Sequence, residues 1–125
     1  MAIVPDFLMK RIYKKGSLKQ TDNGVEFQLK NVLGPGCISG LDFIQINDFK
    51  FTKDVISFIT QGKNNLASGI SEDNPVYFRL GQEGTLQLSE KVNCLKDGIN
   101  KIIISLSNPE AGNVTVVFED NLKLA

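Results

Sequence analysis

The chain has 125 residues, 42% of them hydrophobic and 22% charged, and its 14 basic residues balance 14 acidic ones. This length predicts one domain, residues 1–125, that buries a core without a disulfide or a metal, and the zero net charge argues against nucleic acid or an anionic membrane as a partner. The chain has no histidine and no tryptophan, which excludes a Ser-His-Asp or Cys-His catalytic site and a zinc site with histidine ligands.

The two cysteines, Cys37 and Cys94, lie in apolar runs and do not form a CxxC pair. We interpret them as free buried thiols in a reducing compartment, with a disulfide as the alternative. The sequence has neither the basic start of a signal peptide nor an apolar run of the roughly 18–20 residues that span a membrane. We therefore expect a cytoplasmic protein, and no cofactor motif or metal-ligand spacing occurs.

The N-terminal part begins with a predicted basic strand or arm over residues 1–15, in which Phe7–Tyr13 has a spacing that also suits a short helix. Residues 25–30 alternate apolar and polar side chains, which predicts a half-buried strand. The Asn23-Gly24 pair just before this strand predicts a tight hairpin turn.

The middle of the chain predicts several short strands. Gly34-Pro35-Gly36 interrupts the strand pattern, since proline has no backbone N–H to donate a hydrogen bond to a neighbouring strand. A strand over residues 38–46 follows, with a change of phase near Gly40 that suits a bulge. Asn47-Asp48 then turns the chain toward Phe49 and Phe51, and residues 55–61 predict another strand.

The C-terminal part predicts strands over residues 76–80 and 84–88, after a polar loop at residues 71–75. Residues 99–106 are nearly continuously apolar, which is typical of a central strand covered on both faces. A turn at residues 109–112 and a returning strand over residues 114–118 complete a long hairpin.

Together these patterns predict about eight or nine short strands with turn signals between them. The predicted fold class is therefore all-β, an antiparallel β-sandwich of Ig-like or jelly-roll-like type with at most short helical turns. We expect this sandwich to form one domain.

The first candidate site is the basic stretch near the N-terminus. Residues 1–30 carry a net charge of +3 and the remainder −3. Lysines commonly protect a sheet edge, so edge protection is the first interpretation; contact with an acidic face of a neighbouring copy or partner is the second, and nucleic-acid binding the third. The candidate partner-binding residues are Lys10, Arg11, Tyr13, Lys14, Lys15 and Lys19.

The second candidate site is the loop Leu33–Gly40, which contains Gly34, Pro35 and Gly36. In the first interpretation its glycines only allow the chain to turn. In the second, the loop lies at the end of the sandwich and binds a ligand. With the predicted loop Gly62–Pro75, it would form a module that binds a carbohydrate or another small molecule. Among the phenylalanines, Phe49 and Phe51 are candidate interface anchors.

Three segments carry a resemblance to a known family: Thr21–Phe27, the loop before Ile38-Ser39-Gly40-Leu41, and the closing Leu95-x-x-Gly98-x-Asn100-x-Ile102. Their order and spacing resemble the small β-subunit of bacterial C-glycoside deglycosidases and short stand-alone β proteins of archaea and bacteria. The resemblance implies a β-sandwich that partners a TIM-barrel catalytic subunit. Leu33–Gly36 and Asn100 depart from the family pattern, so no catalytic residue is carried over.

These observations predict a non-catalytic β-sandwich that acts through protein–protein association. Its partner would be a second copy of the chain, in an oligomer or filament, or a larger catalytic subunit encoded elsewhere. The carbohydrate or small-molecule module is the alternative. A self-sufficient enzyme ranks third. Without histidine it would need a catalytic carboxylate pair or lysine, and no spacing in the sequence indicates one.

Overall fold

The computed structural model describes residues 10–34 and 36–124 of the chain, and these residues form an all-β fold of antiparallel sheets. Eleven strands occur in the described residues. Short 3₁₀ turns lie at Lys10–Ile12, Lys53–Val55 and Ala67–Gly69. Within the same residues, no helix combines the length and apolar character that a membrane crossing needs.

The larger sheet has five strands, β1 (Lys19–Thr21), β2 (Gly24–Lys30), β6 (Ile56–Thr60), β7 (Lys63–Leu66) and β9 (Glu83–Leu88). They lie in the order β1-β2-β9-β6-β7. Strand β9 lies between β2 and β6, so it joins two parts of the chain that are distant in sequence. The two outer strands, β1 and β7, are the edges of this sheet.

The second sheet has four strands, β4 (Gly40–Ile46), β5 (Phe49–Thr52), β10 (Gly98–Asn108) and β11 (Gly112–Leu122). They lie in the order β11-β10-β4-β5. Its longest part is the hairpin of β10 and β11, two strands of 11 residues each that pair in register from Gly98↔Leu122 to Asn108↔Gly112. The remaining strands, β3 (Gly36–Ile38) and β8 (Val76–Phe78), pair with each other.

One hydrophobic core joins the two main sheets. Alternate side chains of β2 and β9 point into it, as do alternate side chains of β4 and β10. Burial of each such side chain stabilises the fold by about 1.5–3 kcal/mol relative to leaving it in water. The largest fully buried aromatic and isoleucine side chains are Phe27, Phe51, Phe58, Ile44, Ile46, Ile56, Ile102 and Ile104.

The predicted fold class is confirmed, and two details differ. The strands number eleven rather than eight or nine because β3 (Gly36–Ile38) is separate from β4 and because part of the predicted loop Gly62–Pro75 forms β7 (Lys63–Leu66). The apolar run of β10 is covered on one face only, because on its other face Ile99 is 53% exposed and Lys101 is exposed. The predicted change of phase near Gly40 corresponds to a shift of register between Leu41 and Phe43, where β4 pairs with β10.

Two further predictions concern the hairpin turn and the N-terminal segment. β1 and β2 pair from Lys19↔Glu26 to Thr21↔Gly24, which confirms the turn but places Asp22 and Asn23 at its centre. For residues 1–15 the predictions were a basic strand or arm, with a short helix over Phe7–Tyr13 as an alternative, and the described part forms a 3₁₀ turn at Lys10–Ile12 rather than a strand. Residues 1–9 lie outside the described residues.

Candidate functional site

The basic stretch forms a compact turn over residues 10–15, which we call the basic turn. The backbone N–H of Tyr13 donates to the carbonyl of Lys10 over 3.4 Å, which closes the 3₁₀ turn. Tyr13 then forms a single bridge with Leu29 of β2, and the N–H of Lys14 donates to the carbonyl of Gln28 over 3.0 Å. The turn is therefore attached to the edge of the five-stranded sheet near β2.

Tyr13 anchors the basic turn to the other sheet as well. Its side chain is 7% exposed, and its ring stacks on Phe118 of β11 with the ring centroids 5.3 Å apart. Its hydroxyl donates a 2.5 Å hydrogen bond to Oδ2 of the buried Asp120, and the backbone N–H of Gly16 donates to the same oxygen over 2.8 Å. Burial, together with the hydrogen bond to Asp120, raises the pKa of Tyr13.

The lysines and the arginine of the stretch fall into two groups. Lys14 pairs with Glu83 at 3.6 Å and Lys19 pairs with Glu26 at 3.7 Å, in exposed ion pairs worth about 0–1 kcal/mol. The other three cations are exposed and form no ion pair with another described residue. These free cations of the basic turn are Lys10, Arg11 and Lys15.

Ile12 of the basic turn lines a cleft of about 190 Å³ between the two main sheets, which we call the apolar cleft. Most of the wall is hydrocarbon, from the ends of β2, β10 and β11 and from the β3–β8 pair. Its wall includes Ile12, Leu29, Gly34, Phe78, Ile104 and Phe118.

Asn31 holds the start of the predicted loop Leu33–Gly40, which we call the glycine loop, against the apolar cleft. It is 4% exposed, and its Nδ2 donates to the carbonyl of Phe78 over 2.6 Å. Its Oδ1 accepts from the N–H groups of Leu33 and Gly34 at 3.1 and 3.3 Å. The sequence analysis did not select Asn31, although an asparagine just before a glycine-rich loop is a known signal for a side chain that caps a turn.

The structure brings part of the two predicted sites together. Gly34 and Gly36 line the same cleft as Ile12 of the basic turn, so the glycine loop and the basic stretch meet there. Pro35 lies outside the described residues. Tyr13 is part of the core, so it positions the basic turn and offers little surface to a partner.

The loop Gly62–Pro75 does not contribute to the apolar cleft. Strand β7 and the 3₁₀ turn Ala67–Gly69 occupy much of it. Its ends line a separate open cavity of about 350 Å³, beside Gln61 and Arg79. Among the described residues, the apolar cleft and this cavity are therefore lined by different ones of the two predicted binding loops.

Two further sets of residues singled out from the sequence are the phenylalanines of β5 and the two cysteines. Phe51 is fully buried in the core, which excludes it as an interface anchor, and Phe49 packs against it with the ring centroids 4.8 Å apart. Cys37 and Cys94 are both free thiols of intermediate exposure, and burial raises the pKa of Cys94.

Comparison with known proteins gives one family. The sequence model described as "Hydroxymethylglutaryl-CoA reductase, N-terminal domain" matches residues 8–123. No curated protein matches the chain. The resemblance to the deglycosidase β-subunit is neither supported nor contradicted by this match, and it stays a prediction.

Proposed function

The chain belongs to the hydroxymethylglutaryl-CoA reductase N-terminal domain family, and from this membership we propose that it is a non-catalytic β-sandwich that binds a catalytic domain of that reductase. The family is named for an N-terminal domain and not for the catalytic domain, which supports an accessory role. The association would use the basic turn against an acidic surface of the partner.

The observation that carries this proposal is the anchoring of the free cations. Lys10, Arg11 and Lys15 lie in a turn that is tied to Asp120 of β11 through Tyr13 and Gly16. A turn that is already ordered loses less conformational entropy on binding than a mobile arm does. Cations on an ordered turn also steer an acidic partner toward one orientation, which favours specific association.

Self-association is a second candidate, and the edge strand β11 favours it. Within the described residues, β11 has 11 residues and pairs only with β10. It contains no lysine and no proline, the residues that most often block an exposed edge. A second copy of the chain could add its own β11 there and extend the four-stranded sheet.

Size-exclusion chromatography with light scattering separates these proposals. The purified chain is run alone and then with an equimolar amount of a hydroxymethylglutaryl-CoA reductase catalytic domain. The proposed function predicts a new species whose mass is that of the catalytic domain plus the chain. Failure to form such a species at concentrations near 100 μM, where interactions of about 5–6 kcal/mol are seen, would overturn it. A stable oligomer of the chain alone would favour pairing through β11.

A further inference from the structure

We propose that the apolar cleft receives one large apolar side chain from an acidic segment of the partner, while Lys10, Arg11 and Lys15 contact the carboxylates on either side of it. The inference deepens the proposed function and rests on it in one respect, that the partner is a protein. It adds the kind of segment that is bound and the place where it binds.

The size and lining of the cleft indicate a single side chain. Its volume is about 190 Å³, and a dry cavity of roughly 150 Å³ is known to accept benzene. Phenylalanine, leucine or methionine would fill it, and Phe78, Ile104 and Phe118 would surround the inserted group. Apolar anchors of this kind, fully desolvated in a pocket, carry most of the binding energy of many interfaces.

The charges beside the cleft indicate an acidic segment. Ile12, which lines the cleft, immediately follows Lys10 and Arg11 in the same 3₁₀ turn. Glu119 lies beside Lys10 and Lys15 around a second cavity of about 320 Å³ that shares Phe118 with the cleft, and the two lysines outnumber the one carboxylate there. Carboxylates that flank an apolar anchor would therefore find complementary charge at the cleft, and basic residues there would be repelled.

The glycine loop keeps the cleft in a form that can bind. Asn31 fixes Leu33 and Gly34 from one side, and Asn108 donates from Nδ2 to the carbonyl of Cys37 over 2.8 Å from the other. These bonds satisfy backbone groups of the loop without filling the cleft with a side chain. A site ordered in this way costs less entropy when the partner binds.

The test uses synthetic peptides and needs no reductase. The probe is a heptapeptide with one phenylalanine between acidic residues, Glu-Asp-Glu-Phe-Asp-Glu-Asp. One control replaces its phenylalanine with serine, and a second replaces its acidic residues with lysine. Binding to the full chain is followed by NMR through the backbone amides of Ile12, Leu33, Gly34 and Ile38. We expect saturable shifts at these amides, with affinity about tenfold or more above that of either control.

Variants of the chain locate the binding. Leu106→Trp enlarges a side chain of β10 that lines the cleft and packs against the core. It should abolish the shifts, with folding checked by its melting temperature and by the unchanged amides of β7. The double variant Arg11→Glu with Lys15→Glu reverses two charges on the exposed basic turn. It should lower the affinity for the acidic peptide about tenfold or more. The matched control, Lys53→Glu with Lys63→Glu, changes the same charge at exposed positions away from the cleft and should leave the affinity unchanged.

Several results would overturn the inference. Equal binding of the phenylalanine and serine peptides would mean that charge alone acts, and absence of shifts at the cleft amides would mean that the cleft is not the site. Saturable binding of octanoate without binding of the peptide would assign the cleft to a small amphiphile. If the reductase complex forms and Leu106→Trp leaves it intact, this inference fails and the proposed function stands. If the peptide binds as expected and no reductase complex forms, the proposed function fails and this inference stands.

Discussion

The hydroxyl of Tyr13 donates a 2.5 Å hydrogen bond to Oδ2 of Asp120, a residue 107 positions further along the chain. The same carboxylate oxygen accepts from the N–H of Gly16 over 2.8 Å. Asp120 is 6% exposed, so its carboxylate depends on these donors for the hydrogen bonds that water would otherwise supply. This pair joins the basic turn to the last strand and fixes the position of the proposed contact surface.

Replacement of Tyr13 by phenylalanine should destabilise the protein at neutral pH by about 1.5–3 kcal/mol, because a buried carboxylate loses a charge-assisted hydrogen bond. Urea denaturation at pH 7 measures this loss. The matched control is Tyr77→Phe, because Tyr77 is 59% exposed and should tolerate the change within about 0.5 kcal/mol. Equal stability of the two variants would contradict the role given to the Tyr13–Asp120 pair.

The raised pKa of Tyr13 predicts a loss of stability in alkali. The unfolded chain releases the tyrosine proton near the ordinary pKa of 10.0, whereas burial keeps the proton on Tyr13 in the folded state. The contribution of Tyr13 is therefore complete below pH 10 and is lost as pH rises above it, by up to about 1.4 kcal/mol per pH unit. Denaturation from pH 9 to 11 should show a shallower decline for Tyr13→Phe than for the native chain or Tyr77→Phe. Parallel declines would contradict the prediction.

Gly24 should not tolerate a side chain. A Cβ atom at this position would lie 1.9 Å from the backbone oxygen of Leu88, a contact that only a backbone shift in β2 or β9 could relieve. We expect Gly24→Ala to cost about 3 kcal/mol or more in the free energy of unfolding. In Gly69→Ala, the control, the added Cβ meets no atom within 4 Å, and the change should stay within about 0.5 kcal/mol. Similar melting temperatures for the two variants would show that the backbone at Gly24 adapts.

Asn31 should control the order of the glycine loop. Asn31→Ala removes the acceptor for Leu33 and Gly34 and the donor to Phe78, at a cost of about 1–3 kcal/mol. Amide hydrogen exchange of Leu33 and Gly34 should become faster, while that of β6 changes less. Asn64→Ala is the control, since Asn64 is exposed and its side chain bonds to no other described residue. Unchanged exchange in Asn31→Ala would show that other contacts order the loop.

Local sequence patterns predicted the local parts of this fold. The hairpin of β4 and β5 turns at Asn47, whose φ of 55° suits an asparagine. The hairpin of β10 and β11 turns at residues 109–111, within the turn predicted at residues 109–112. Each of these pairs joins strands that are adjacent in the chain, so turn residues and alternation suffice to find them.

Long-range pairing could not be obtained in the same way. Alternation tells which face of a strand is buried, but it does not identify the neighbouring strand, so the position of β9 between β2 and β6 carries no local signal. The contact of Tyr13 with Asp120 and the meeting of Ile12 with Gly34 at one cleft also depend on this topology. The sequence therefore predicted both candidate segments without showing that they adjoin.

The most direct test of the account is a calorimetric titration of the chain into a hydroxymethylglutaryl-CoA reductase catalytic domain at several salt concentrations. The native chain is compared with Arg11→Glu plus Lys15→Glu and with Lys53→Glu plus Lys63→Glu. The account predicts binding that weakens with salt, falls about tenfold or more for the reversal in the basic turn, and stays unchanged for the reversal elsewhere. Equal affinity of all three proteins, or no binding by the native chain, would contradict it.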